Sequence, residues 1–190
     1  GRGGVALNAE GSRGLPQFME AGNKLRWEGM GHGVTNPIIL NAQTEAEERA
    51  LIKESVSVIG KSTGNAPRGW LSPGMTETVR TLDILAENGI EYTGNWVNDE
   101  QPYPMKVRKG SMISMPYSSE INDIPAMLSL HQSPERFGQM ICDQFDVLYE
   151  DGLTTGRLMS ICLPPFILGH PPRSKYSPNA PVQQRPRQQV

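Results

Sequence analysis

Cysteine is scarce in this sequence: Cys142 and Cys162 are the only two in 190 residues. Both sit in apolar stretches, which argues against a disulfide framework and predicts buried free thiols in a reducing compartment, with the cytoplasm the expected location. No apolar run approaches the roughly 20 residues that a membrane-spanning helix needs, and no secretory leader pattern opens the chain. The net charge is only −2, so no global field draws the protein to nucleic acid or to a membrane surface. Phosphate-cradling patterns of the GxGxxG or Walker type are missing, and Ser72 lacks the GxSxG elbow of a serine hydrolase. Histidine is rare as well, limited to His32, His131 and His170, and the first aspartate of the whole chain is Asp83.

What remains is a sequence with 37% hydrophobic and 20% charged residues, a soluble balance somewhat poor in apolar side chains but long enough for one domain with a core. Its last twenty residues, 171–190, hold five prolines and four glutamines and cannot bury enough surface to offset the entropy of ordering them. The chain opens Gly1-Arg2-Gly3-Gly4 with no initiator methionine. The two ends together predict a fragment, with an incomplete domain over residues 1–170 and a disordered tail over 171–190.

Between the ends, helical and strand-like periodicities alternate. Residues 5–9 read as a strand, 16–26 as a helix, and a short strand leads into His32. Thr44 and Glu47 form a capping-box pattern ahead of a helix with Leu51, Ile52, Val56 and Ile59 on one face and Gly64 and Pro67 at its end. Thr76 or Thr78 is placed to cap the next helix, with Val79, Leu82, Leu85 and Ala86 inward and Gly89 as its stop. Residues 90–93 read as a strand. A hairpin is expected from 106–108 and 112–115 across Lys109-Gly110. Ser133-Pro134 opens a helix with Phe137, Ile141, Phe145 and Leu148 as its buried stripe, and residues 158–163 read as a strand buried on both faces. Strands alternating with helices predict an α/β fold with mainly parallel strands, whose chemistry sits on the loops after the strands.

Three loops carry candidate chemistry. His32, flanked by glycines, can approach a metal or substrate closely, and Asn36 four residues on offers a second, weak donor; zinc normally takes three nitrogen, sulfur or carboxylate ligands, so the alternative is a histidine hydrogen-bonded in its loop. Residues 95–103 crowd Asp99, Glu100, Trp96 and Tyr103: either carboxylate could act as or orient a base, with aromatics walling a pocket, and an ordinary solvated loop is the equal alternative. Glu120 and Asp123 resemble paired acids, with solvated side chains as the alternative.

Five segments in order carry a family resemblance: Trp27-Glu28-Gly29-Met30-Gly31-His32-Gly33-Val34-Thr35-Asn36, Pro67-Arg68-Gly69-Trp70-Leu71-Ser72-Pro73-Gly74, Asn95-Trp96-Val97-Asn98-Asp99-Glu100-Gln101-Pro102-Tyr103, Pro116-Tyr117-Ser118-Ser119-Glu120-Ile121-Asn122-Asp123-Ile124-Pro125 and Pro165-Phe166-Ile167-Leu168-Gly169. The sequence resembles the polysaccharide deacetylase (NodB-homology) family, in particular its allantoinase-like branch. That resemblance implies a distorted (β/α) barrel, here partial and without its first strand, and a hydrolase of non-peptide carbon–nitrogen bonds in carbohydrate metabolism or in the opening of a cyclic amide. It implies His32 and Asn36 at the metal position, with zinc held weakly or no metal at all. Asp99, Glu120 and Asp123 are implied as the catalytic carboxylates, and Trp70, Trp96 and Tyr103 as the substrate-contacting aromatics. The family's early aspartate pair has no counterpart here, Leu71 stands at a common arginine, Asn95 at a common aspartate, and Pro164 at the late histidine. The rival expectation is an inactive, at most binding, member of the same family. The expected partner is a small molecule or oligosaccharide, with self-association through strand edges as a homo-oligomer.

Overall fold

The computed structural model describes residues 3–174. They divide into two units, one holding the chain up to Trp96 together with Tyr103–Met115, the other holding Val97–Pro102 and the chain from Pro116 onward.

In the first unit, β1 (Gly4–Leu7), β2 (Glu28–Gly31), β3 (Gly69–Trp70), β4 (Tyr92–Thr93), β5 (Tyr103–Met105) and β6 (Met112–Ser114) form one sheet in the order β1-β2-β3-β4-β6-β5. All neighbours are parallel except β5 against β6. The fold is therefore α/β with a mainly parallel sheet, as the alternation of elements predicts. The ladder continues one residue past each parallel strand: His32 N–H donates to Leu7, Leu71 to Gly31, Gly94 to Trp70 and Met115 to Thr93, all at 2.8–2.9 Å. The residues that follow leave the sheet along one edge.

The strand expected over 5–9 stops at Leu7, and Ala9 instead opens helix α1 (Ala9–Gly14). Two glycines give it poor propensity, but its first amides, from Ala9 and Glu10, find the carbonyls of Gly33 and Val34, so tertiary hydrogen bonds decide the outcome. Helix α2 (Pro16–Lys24) matches expectation. Helix α3 (Glu45–Thr63) starts at the Thr44–Glu47 capping box and stops at Gly64, whose φ is +76°. Ile52 and Ile59 are buried on it as expected, but so are Glu48 and Ser55. That acid explains why α4 starts late, at Thr81: the hydroxyls of Thr78 and Thr81 both donate to Glu48, and Val79 is left 95% exposed rather than inward.

The hairpin also differs from expectation. Tyr103–Met105 pairs with Met112–Ser114, and Pro104 is tolerated because β5 is an edge strand. Residues 106–111 form a wider connection, with Arg108 bound through its amide and guanidinium to Asp83. Leu40, Ile52, Trp70, Ile84, Leu85, Ile90 and Met112 make this unit's core.

The second unit contains a π-helical turn (Ile124–Ser129), α5 (Pro134–Asp151) and the short helices α6 (Pro165–Leu168) and α7 (Pro171–Ser174). Ser133 caps α5 by accepting from Arg136 N–H at 3.2 Å. Phe137, Ile141 and Leu148 are buried, whereas Phe145 is 46% exposed and stacks on Tyr149. The strand expected over 158–163 is reduced to one bridge, Asn122 to Cys162. Cys142 is buried and Cys162 half-buried, both free. Residues 171–174, assigned from sequence to the tail, form α7; the rest of that tail, 175–190, lies outside the described residues.

The sheet spacing makes one position intolerant. A Cβ on Gly31 would lie 2.6 Å from Cζ3 of Trp70, with backbone on one side and a fully buried ring on the other. Gly31→Ala is expected to lower stability by about 1–3 kcal/mol through overpacking, read as a lower midpoint in urea denaturation; an unchanged midpoint contradicts this packing.

Candidate functional site

The edge of the sheet where β2, β3 and β4 end collects His32, Ser72 and Asn95. His32 is held at three points. Its N–H donates to Leu7, its carbonyl accepts from the Asn8 side chain, and its Nδ1 contacts the Leu71 carbonyl. A carbonyl can only accept, so Nδ1 carries the proton and Nε2 keeps its lone pair. Burial lowers the imidazole pKa against a smaller opposing effect of that hydrogen bond, which favours the neutral ring. Gly33 follows with φ +72° and lies against Pro73, where a side chain would be both strained and crowded.

Ser72 N–H donates to Asn95 Oδ1 at 2.7 Å, and Asn95 Nδ2 donates to Ser72 Oγ at 2.9 Å and to Glu77 Oε1 at 2.7 Å. The Trp70 indole N–H completes the knot by donating to Ser72 Oγ at 2.8 Å. Glu77 also accepts from the Trp96 side chain; burial raises its pKa, and the two donors oppose that rise. Sequence reasoning missed Glu77. It lies just before a helix among residues that read as caps, and only the chain reversal at Gly74 and Met75, with φ +61° and +54°, brings it to Asn95.

The sequence-derived candidates scatter. Trp70 is fully buried in the core, so its expected contact with substrate is corrected to a structural role. Trp96 is 42% exposed beside Glu77. Tyr103 is a half-buried residue of β5, paired with Ser114. Asn36 sits in an exposed turn. In the second unit a cavity of about 290 Å³ brings Asp99 and Glu120 together with Glu100, Tyr117, Ser118 and Ser160. Asp99 accepts from Gln101 N–H at 2.9 Å and Glu120 from the Ser118 hydroxyl at 3.2 Å.

Asp123 does not line that cavity. Its residue is wholly buried, Oδ2 accepts from Leu168 N–H at 3.1 Å, and Oδ1 has no hydrogen-bond partner. The expected catalytic role is corrected accordingly: a carboxyl shut away from solvent cannot meet substrate, and it ties the π-helical turn to α6 instead.

A divalent metal is chemically compatible with Nε2 of His32 as one ligand. The donor set does not fit beyond that: among the described residues no three His, Cys, Asp or Glu side chains cluster to hold an ion, and the exposed amide of Asn36 is a poor zinc donor.

Burial raises the Asp123 pKa to about 6, from an ordinary 3.8. The folded state therefore binds more protons than the unfolded state between those values, and stability falls as pH rises through that window. The loss is expected to be on the order of 1–3 kcal/mol, complete above about pH 6. Asp123→Asn retains an acceptor for Leu168 N–H and should remove this component, so its stability relative to wild type should be greater at pH 7 than at pH 4 in urea denaturation. Parallel wild-type and variant profiles contradict the assignment.

No family model matches the sequence. Two curated proteins do: the peptidoglycan deacetylase of Helicobacter pylori, 26% identical over 169 residues that cover 72% of this chain and 56% of that protein, and a putative polysaccharide deacetylase of Schizosaccharomyces pombe, 30% identical over 148 residues that cover 69% and 45%. The chain thus spans about half the length of the curated relatives it matches. Among solved structures, that of PuuE allantoinase superposes with a TM-score of 0.85 at 22% identity, over 96% of this chain and 61% of that one, which establishes the shared (β/α) fold class. With the order of motifs, these matches identify the family: the chain belongs to the polysaccharide deacetylase (NodB-homology) family.

Proposed function

We propose that the protein is a hydrolase of non-peptide carbon–nitrogen bonds, acting on an N-acetylated sugar or, in the manner of the allantoinase-like branch, on a cyclic amide. The observation that carries this reading is His32: a half-buried imidazole whose Nδ1 is committed to the Leu71 carbonyl, leaving a neutral Nε2 lone pair at the end of β2. Such a group can take a proton from a water as it attacks a carbonyl carbon. Asn95 and Glu77, joined by a 2.7 Å hydrogen bond, supply polar groups beyond the ends of β3 and β4. The second unit's cavity supports a polyhydroxy ligand, since hydroxyls, amides and the carboxylates of Asp99, Glu100 and Glu120 line it, and its volume of about 290 Å³ is near the lower bound for small-molecule pockets. The free thiols Cys142 and Cys162 are consistent with a reducing compartment.

The test is a paired assay of the full chain on an acetylated chitooligosaccharide and on allantoin, with and without zinc, beside His32→Ala. Turnover of one substrate that falls by about 10²-fold or more in the variant supports the reading. Its rate should decline on the acid side below the ordinary imidazole value of about 6.5, because burial shifts the His32 titration downward. Silence on both substrates favours the inactive, binding-only alternative. Asp99→Asn combined with Glu120→Gln should weaken binding of the acetylated chitooligosaccharide to the second unit's cavity, read by isothermal titration calorimetry; equal affinity removes the cavity from the reading.

A further inference from the structure

Glu77 occupies a position that neither the family motifs nor the composition of its loop announces. The turn before it carries two consecutive residues at positive φ, Gly74 and Met75, the second without glycine's freedom. Backbone held in that region costs energy and persists only where surrounding contacts fix it. Here Thr76 fixes it: its hydroxyl donates to Pro73 O at 2.9 Å and accepts from Leu40 N–H at 3.1 Å. The result is a half-buried carboxyl aimed at the end of β4.

Two consecutive residues after β4 converge on that carboxyl, the Asn95 amide at 2.7 Å and the Trp96 side chain. Asn95 is 8% exposed and also committed to Ser72, whereas Trp96 is 42% exposed. Glu77 therefore anchors an aromatic ring that keeps much of its surface open to solvent. The other carboxylate facing it is Glu48 of α3, which is itself occupied by the hydroxyls of Thr78 and Thr81. A partly exposed tryptophan fixed through its polar edge presents its face for stacking against a ring.

We propose that Glu77 is the positioning residue for Trp96, holding its indole as the platform on which the substrate's ring rests; this rests on the hydrolase reading given above. Glu77 does its work through Trp96 and touches no reacting atom.

The experiment uses the full chain and isolates Trp96 emission as the difference between each protein and its Trp96→Phe counterpart. Glu77→Ala should raise the acrylamide quenching constant of Trp96 about twofold by releasing the ring, while Glu77→Gln, which keeps an acceptor oxygen, should stay near wild type. Titrated between about pH 4 and 8, wild-type Trp96 emission should show a step as the carboxyl ionises, and Glu77→Gln should lose it although Glu48 is untouched. With whichever substrate the paired assay identifies, Glu77→Ala should raise KM by about tenfold with kcat within about twofold. Equal quenching in wild type and Glu77→Ala, or a titration step that survives in Glu77→Gln, overturns the proposal. If the wild-type chain turns over neither substrate, the hydrolase reading fails and the substrate platform with it, while the quenching and titration results still decide the Glu77–Trp96 contact.

Discussion

The face of Trp70 against the bare backbone of Gly31 fixes the middle of the sheet, and the candidate site inherits its geometry from that contact. Gly31 and Trp70 are register partners, and the ring leaves no room for a Cβ between them. From there three successive residues act in turn. The Trp70 indole donates to the Ser72 hydroxyl, the Leu71 carbonyl receives His32, and the Ser72 amide and hydroxyl hold Asn95. A buried tryptophan, expected from sequence to contact substrate, thus contributes by setting where other residues stand. Core packing and site geometry are the same set of contacts here, because interiors are close-packed and a displaced ring must displace its neighbours.

Local signals were legible where they are self-sufficient. The Thr44–Glu47 box, Gly64 and Ser133-Pro134 each satisfy or terminate backbone groups within a few residues, so α3 and α5 appear where the sequence puts them. The failures share a physical cause, which is a partner distant in sequence. Helix α1 is sustained by carbonyls of Gly33 and Val34. The late start of α4 follows from Glu48, thirty residues or more upstream of the hydroxyls it binds. In the segment 158–163, Leu158 N–H donates to Glu100 and Cys162 bridges Asn122, partners in two separate loops that make no continuous ladder.

Site residues follow the same division. His32 was legible as a candidate because glycines flank it after a strand, with a loop hydrogen bond as the alternative, and Leu71 supplies such a bond; Asp99 and Glu120 were legible singly, in separate loops, and both line one cavity. Glu77 was not, since nothing near it in sequence marks it. Asn36 and His32 were read as a pair four residues apart, but the turn leaves Asn36 exposed, and the imidazole takes its fixed hydrogen bond from Leu71, in a different strand connection. That bond settles the tautomer, which sequence spacing cannot.

Three buried or half-buried acids show how partners, rather than burial alone, decide what a carboxyl does. Glu48 is fully buried, and both of its oxygens accept from hydroxyls, those of Thr78 and Thr81. Asp123 is equally buried, but one oxygen has no partner, and desolvation wins, lifting its pKa to about 6. Glu77 lies between them: desolvation raises its pKa, while two donors on consecutive residues pull the other way. Only Glu77 combines incomplete burial with a donor that is itself open to solvent, so a change in its charge can be transmitted to a surface that a ligand can reach. Glu48 and Asp123, enclosed on every side, can affect stability but have no such path outward. Access, added to the balance of desolvation and hydrogen bonding, therefore separates the acid suited to a functional site from the two suited to holding the fold.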